Sequence, residues 1–295
     1  MSHALPVSAA RPAVQGFFDP ATNTVSYIVH DPATKAAAII DPVLDFTARN
    51  GRTSTASADA LLAAVREQGL DLRYLLETHA HADHLSAAHY LRAQTGAPVV
   101  IGARITEVQA IFGDLFEAND VARDGSAFDR LVREGDVLPL GEQNLHVMDT
   151  PGHTPACVSY LIGDAAFVGD TVFMPDYGTA RADFPGGDAA TLYRSIRKIL
   201  DLPAATRVFT GHDYPPASRA KPAWEASVAE HRSNNLHVRD GVGEAEFVAM
   251  RKARDAGLEA PLLILPSLQV NIRAGEMPPA SPSGHVYLRL PVNAI

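Results

Sequence analysis

The segment LLETHAHADHLSAA, residues 75–88, places His79, His81, Asp83 and His84 within six consecutive positions. Imidazole nitrogens and carboxylate oxygens together suit zinc, iron or manganese. An apolar run precedes them, so a strand delivers them to a loop. His79 and His81 stand two apart, so in an extended segment both project to one side and can grip one ion. Asp83 and His84 lie one turn further on, near an expected helix start, as a second metal pair or as partners of the first. An aspartate at a helix N-terminus also has a plain electrostatic explanation. Three imidazoles and a carboxylate in one tight loop, however, cost desolvation and mutual repulsion unless a cation binds them.

Three further polar residues join the same pattern: His153 in TPGHT, Asp170 in VGDT and His212 in TGHDY, the last flanked by Asp213 and Tyr214. Each follows an apolar strand at its exit into a loop. Loops at one edge of a sheet bring distant residues together on a rigid base. His3, His30, His89, His146, His231, His237 and His285 lack such company and read as surface or satisfied core positions. Cys157, the sole cysteine, reads as a small core residue.

The elements that must position these residues follow from patterning. Residues 24–31 and 36–42 are two apolar strands around PAT, a hairpin signal. Residues 57–69 read as a helix, with Ser57 as cap, Asp59 in the first turn and Gly69 at the end. A strand over 72–79 enters the histidine loop, a helix over 85–96 leaves it and closes at glycine, and 97–102 is a buried strand. The stretch 103–136 is less regular, with NDVARDG as an excursion. Residues 143–153 form a strand and turn. Residues 157–170 form a tight hairpin with Gly163–Asp164 near its tip. Residues 188–200 place Leu192, Ile196 and Ile199 on one helical face. A final buried strand over 206–216 ends in a polar loop, a helical piece near 222–257 follows, and PLLILPSLQVNIRAG closes at 275. Strands followed by strand–helix alternation, twice over, imply an α/β layered sandwich: two sheets with helices outside them. Residues 1–220 form the catalytic domain in this reading. Residues 221–295 form an appendage packed on it, not an independent domain.

Composition narrows the class. The chain has 295 residues, 46% hydrophobic and 20% charged, with net charge −9. That length supports a sizeable core. The acidic balance and scattered cations argue against a nucleic-acid partner. RSIRK (194–198), the densest basic group, reads as the wet face of a helix. One cysteine leaves no intramolecular disulfide framework and no Cys-rich zinc site, which fits a reducing, cytoplasmic setting. No apolar run is long enough to span a membrane. The N-terminus MSHALPVSAARPAV has no long apolar core of a secretory signal and reads as a frayed tail.

THAHADH resembles the T-H-x-H-x-D-H signature of the metallo-β-lactamase superfamily, and TPGHTPA, FVGDTVF and FTGHDY follow in the order that family shows. The resemblance covers residues 14–216 and implies an αββα sandwich with a metal site at one edge between the sheets. Within the superfamily the chain is similar to the persulfide dioxygenases. Ala82 before Asp83, the TARADFPGGDAATLYRSI segment and GHDY all resemble that branch. MPDYGTARADFPGG and LPSLQVNIRAG resemble its β-lactamase-hydrolase-like members, some of which are fused to a sulfurtransferase domain. The chain also resembles the hydroxyacylglutathione hydrolases. From Asp170 to Arg181 it reads DTVFMPDYGTAR, longer than the mitochondrial-type dioxygenase, and this loop borders the substrate pocket.

The dioxygenase resemblance makes His79, His153 and Asp170 the ligands of one Fe(II) per chain, a 2-His-1-carboxylate triad with positions open for O2 and substrate. His81, Asp83, His84 and His212 then orient ligands and waters by hydrogen bonds. The reaction implied is glutathione persulfide, O2 and water to sulfite and glutathione. Arg181 is the candidate for a glutathione carboxylate, and Tyr177 and Tyr214 could line that pocket. The alternative is a thioester hydrolase with two Zn, Fe or Mn ions: His79, His81 and His153 on one, Asp83, His84 and His212 on the other, Asp170 bridging. A non-enzymatic scaffold with a decayed site conflicts with the complete ligand set. Family habit implies a homodimer and allows a separate sulfurtransferase. Cys157 lies inside the expected sandwich, so no sulfurtransferase activity is assigned to this chain.

Overall fold

The computed structural model describes residues 11–294. His3 and the tail expected over residues 1–10 lie outside them. Strands β1 (Ala13–Asp19), β2 (Thr24–His30), β3 (Ala36–Ile40), β4 (Val43–Thr47) and β5 (Arg52–Ser54) come first. Helix α1 (Ala56–Glu67) is followed by β6 (Asp71–Leu76), β7 (Leu85–Ser86), α2 (Ala88–Thr95), β8 (Val99–Gly102), α3 (Ile105–Leu115) and β9 (Arg130–Val132). Then come β10 (Val137–Leu140), β11 (Gln143–Asp149), β12 (Val158–Ile162), β13 (Ala165–Phe167), α4 (Ala189–Leu200) and β14 (Arg207–Phe209). The C-terminal segment holds β15 (Glu225–Ser227), α5 (Val228–Asn234), α6 (Glu244–Asp255) and α7 (Ile264–Asn271).

Two six-stranded sheets result, ordered β1-β2-β3-β6-β8-β9 and β10-β11-β12-β13-β14-β15, with a small β5-β4-β7 sheet beside them. Strand alternation decides the layers. Tyr27, Val29, Ala38 and Ile40 point to the space between the large sheets, where they meet Leu145, Tyr160, Ile162, Phe167 and Phe209. Tyr27 stands edge-on to Phe167 and Phe209, centroids 5.3 and 5.6 Å away, and its hydroxyl donates to Thr210 O at 2.5 Å. Ile28, Ile39, Leu75 and Val99 point the other way, onto Leu61, Leu91, Val108 and Leu268 of the helices α1, α2, α3 and α7. On the far side, Leu161, Ala166, Val168 and Val208 pack on Leu192, Ile196, Ile199, Val228 and Phe247 of α4, α5 and α6. Each fully buried side chain of this size contributes roughly 1.5–3 kcal/mol. The αββα sandwich expected from the sequence is therefore the observed architecture.

Local differences have local causes. The helix expected over 85–96 begins at Ala88, because Leu85 and Ser86 pair with Leu44 and Val43 as β7. Gly96 closes it in the left-handed conformation, φ 73°. Ser57 is not the cap of α1. Thr55 takes that position without a side-chain bond to the helix backbone, its hydroxyl donating instead to Asp59 Oδ2, while Ser57 donates to Asp45 Oδ1 at 2.6 Å and ties the helix to β4. The stretch 103–136 is more regular than expected, since Ile105, Val108 and Phe112 give α3 a buried face. The helical piece expected near 222–257 starts as an edge strand, β15, paired antiparallel with β14. It then breaks into two helices where Asn235 Oδ1 accepts the His237 and Val238 N–H groups.

Candidate metal centre

Every residue of the sequence constellation lies on a strand exit at one edge of the sandwich. His79 to His84 follow β6, His153 follows β11, Asp170 follows β13 and His212 follows β14, and Asp41, outside that constellation, joins them at the exit of β3. The strands β3 and β6 run parallel, as do β13 and β14, so within each sheet these exits fall at the same end. An isolated bridge between Thr24 and His212 ties the two sheets together at this edge.

The side chains fall into adjoining groups whose ligand atoms lie within 4.8 Å of one another: His79, His153 and Asp170; His81, Asp83, His84 and His212; and Asp41, Glu77 and His81. Asp170 joins the first two. Its Oδ2 is 3.8 Å from both His79 Nε2 and His153 Nε2, and its Oδ1 is 3.4 Å from His212 Nε2. Asp83 Oδ2 is 3.2 Å from His212 Nε2.

Hydrogen bonds behind the His79, His84 and His153 rings leave one nitrogen of each turned inward. His153 Nδ1 donates to Arg181 O at 2.8 Å, which leaves Nε2 with its lone pair. Thr78 Oγ1 donates to Asp41 Oδ2 at 2.8 Å and so accepts from His79 Nδ1 at 3.0 Å. His84 Nδ1 lies 3.3 Å from Thr24 Oγ1. His79 Nε2, His81 Nδ1, His84 Nε2, Asp83 Oδ2 and Asp170 Oδ1 are buried with no hydrogen-bond partner among the described residues. Buried polar atoms are normally paired, so converging orphans of imidazole and carboxylate type fit a metal ion. Burial, then the neighbouring His81 and His153, push His79 well below the usual histidine range, in keeping with a neutral, ligating ring. Burial opposes charge on His81 too, but the Asp41 and Glu77 carboxylates, 3.1 and 3.3 Å from its Nε2, outweigh that and raise its pKa.

Asp41 and Glu77 were missed in the sequence reading. Asp41 carried the same signal as the others, a carboxylate at the exit of an apolar strand (AAAIIDP). Glu77 stands immediately before THAHADH, and only the fold reveals that it is 3% exposed.

A cavity of about 390 Å³ opens over the centre, reaching Asp83, His153 and Asp170 at its floor. Tyr177 and Tyr214 both line it, centroids 5.0 Å apart, and Tyr214 stacks on His212 at 5.6 Å. Burial holds the Tyr214 hydroxyl far above the usual range, so it stays neutral. Arg181, Arg251 and Arg254 line the wall. The Arg181 guanidinium is engaged by Asp183 at 2.5 and 2.7 Å and by Glu259 O at 2.7 Å. Arg251 pairs with Asp255 at 2.6 Å. Among the described residues Arg254 has no carboxylate partner. Cys157 is buried against Thr154 and its thiol is pushed up to about 12 by burial. His30, His89, His146, His231, His237 and His285 belong to none of the ligand groups found among the described residues.

The family model for the metallo-β-lactamase superfamily matches residues 19–212. The chain is 54% identical to a protein named probable metallo-hydrolase from Burkholderia pseudomallei, over 96% of this chain and 99% of that one. It is 48% identical to glyoxylase B2 of Dictyostelium discoideum, over 92% and 93% of the two chains. Its identity to the mitochondrial persulfide dioxygenase of Mus musculus is 30%, over 93% of each chain. It spans 65% of the length of the β-lactamase hydrolase-like protein of Xylella fastidiosa. The crystal structure of ETHE1 from Myxococcus xanthus superposes with a TM-score of 0.72 at 32% identity, covering 90% of this chain and all of that one. With the signature loop, the layered sandwich and the converging ligand atoms, these findings agree: the chain belongs to the metallo-β-lactamase superfamily.

Proposed function

We propose that the chain is a non-haem iron persulfide dioxygenase that converts glutathione persulfide, O2 and water to sulfite and glutathione. The observation that carries this reading is the group formed by His79, His153 and Asp170, two imidazoles and one carboxylate. His81 is drawn instead toward Asp41 and Glu77. One Fe(II) held by the three residues would supply oxygen activation with positions open for both reactants.

The protein's own residues prepare that chemistry. The Arg181 carbonyl fixes the His153 ring, and Thr78 fixes the His79 ring. Phe173, Tyr177 and Tyr214 form an aromatic wall on one side of the cavity, which excludes water from a reactive sulfur. At the cavity wall, Arg254 offers its guanidinium to a substrate carboxylate, while Arg181 holds the wall through Asp183 and Glu259. Homodimer assembly, a separate sulfurtransferase working beside the enzyme, and a cytoplasmic location belong to the same reading.

O2 uptake measured with Fe(II)-loaded protein and fresh glutathione persulfide tests it. Uptake that needs both, with sulfite formed, is the expected result; uptake equal to the protein-free control would refute it. The second reading, a dinuclear hydroxyacylglutathione-type thioester hydrolase, is favoured by the Asp170 carboxylate, which turns one oxygen to each ligand group. The glyoxylase and metallo-hydrolase names of similar proteins also support it. Thioester cleavage with two bound ions per chain would establish that alternative.

A further inference from the structure

We infer that Asn271, on α7 in the C-terminal segment, is a positioning residue of the metal centre. Its side-chain amide clamps the loop that carries His81 and His84, and thereby couples docking of α7 to metal binding.

The loop between β6 and β7 has irregular backbone buried at the site, so its carbonyls need partners that no strand ladder supplies. Asn271 supplies them. Its Nδ2 donates to His81 O and to His84 O, each at 2.8 Å. Its Oδ1 accepts from Ser86 N at 2.8 Å. Both donors are used and the amide orientation is fixed by the pattern itself. Asn271 is 3% exposed, so water does not compete.

A second arm reaches His81 from behind. The Ser86 hydroxyl donates to Glu77 Oε1, and Glu77 Oε2 lies 3.3 Å from His81 Nε2. The amide that sets the carbonyl of His81 therefore also anchors, through Ser86, the carboxylate behind its ring. The helix itself is held firmly. Leu268, Val270 and Ile272 are fully buried, and Gln109 Nε2 donates to Ile272 O at 3.0 Å. Gly275 lets the chain approach β7 closely: a Cβ there would lie 2.7 Å from Ser86 O.

Ligand distances tolerate only about 0.2 Å of error, and loss of an orienting partner behind a ligand typically costs 10–100-fold in metal affinity. Coupling is reciprocal: if α7 favours metal binding, bound metal must favour docked α7. This inference needs only a metal at the histidine cluster and does not depend on the dioxygenase reading.

The probe is Co(II), titrated into metal-free protein and read by its d–d absorption, with release into a chelator giving the dissociation rate. Asn271→Ala and Asn271→Asp are expected to weaken Co(II) about 10–100-fold and to change the spectrum. Asn271→Asp keeps the shape and the acceptor for Ser86 but loses both donors, so it carries the test where alanine prevents folding. Leu61→Ala, in the buried core on α1 and off α7, is the control for stability alone. It should lower the urea midpoint while leaving Co(II) affinity within about threefold. Co(II) should also slow proteolysis within 256–263, ahead of α7, in wild type and not in the Asn271 variants. Asn271 variants that bind Co(II) like wild type, or a Leu61→Ala effect on affinity as large as theirs, would overturn the inference. Wild-type protein that binds no Co(II) would overturn the metal reading along with it.

Discussion

Gly211→Ala is a one-carbon perturbation aimed at the shared ligand. Gly211 precedes His212 and its N–H donates to Gly169 O at 2.9 Å. A Cβ at this position would stand 2.6 Å from Asp170 Oδ1 and 3.0 Å from the Gly169 carbonyl carbon, where ordinary contact begins at 3.4 Å. The Asp170 carboxylate, or the backbone on either side, must therefore move by roughly 0.8 Å, several times the tolerance of a metal ligand. A misplacement near 1 Å at a reacting centre costs about 100-fold in rate. Overpacking by itself costs about 1–3 kcal/mol. Under the dioxygenase reading, the expected phenotype is a folded protein with bound iron lost on dialysis and persulfide-dependent O2 uptake reduced about 100-fold. Gly16→Ala controls for overpacking away from the site, because its Cβ would meet the Trp224 ring at 2.5 Å. It should lose stability and keep its iron. Iron content and turnover of Gly211→Ala within about twofold of wild type would refute the claim that the close approach of Gly211 sets the Asp170 position.

Asp170→Ala should abolish iron binding, as read by metal analysis; retained iron with retained activity would exclude the triad. His81→Ala should leave iron largely in place if three residues suffice, whereas its outright loss would favour the dinuclear ligand set. Arg254→Ala should raise the persulfide KM roughly two- to fivefold with kcat unchanged, the size of an exposed ion pair, measured by steady-state O2 uptake. His231 is fully buried, and burial lowers its pKa to about 4 from 6.5. Its unfolded form takes up a proton first, so stability should fall as pH drops from about 6.5 through about 4, by about 3 kcal/mol in all. Urea unfolding of metal-free protein across that range checks this, and His231→Asn should flatten the slope.

Much of the centre was legible in the chain. Ligand chemistry depends on residue type, and short spacing along a strand exit is a local property, so THAHADH announced a metal loop without any tertiary information. His153, Asp170 and His212 could be added because each sits at the end of an apolar strand. Apolar periodicity placed Leu192, Ile196 and Ile199 on the buried face of α4. The helix α3 was legible by the same periodicity but went unread.

Other features depend on residues far apart in sequence. The helix expected at Leu85 lost its first turn to pairing with Val43 and Leu44. Glu77 and Asp41 meet at His81 only because β3 and β6 are neighbours in one sheet. Arg181 could be named as a cation near the pocket, but Asp183 and Glu259 O engage it in the fold, and Arg254, without a carboxylate partner among the described residues, reaches the pocket wall from α6. Asn271 stands 190 residues from His81 and gives no local signal at all. Residue types and local periodicity determined which groups could bind a metal and which faces would be buried. The tertiary structure decided which nitrogen of each ring turns inward, which oxygen of Asp170 serves which group, and which amide holds the loop. Hydrogen-bond direction and close approach are fixed only when distant segments pack together.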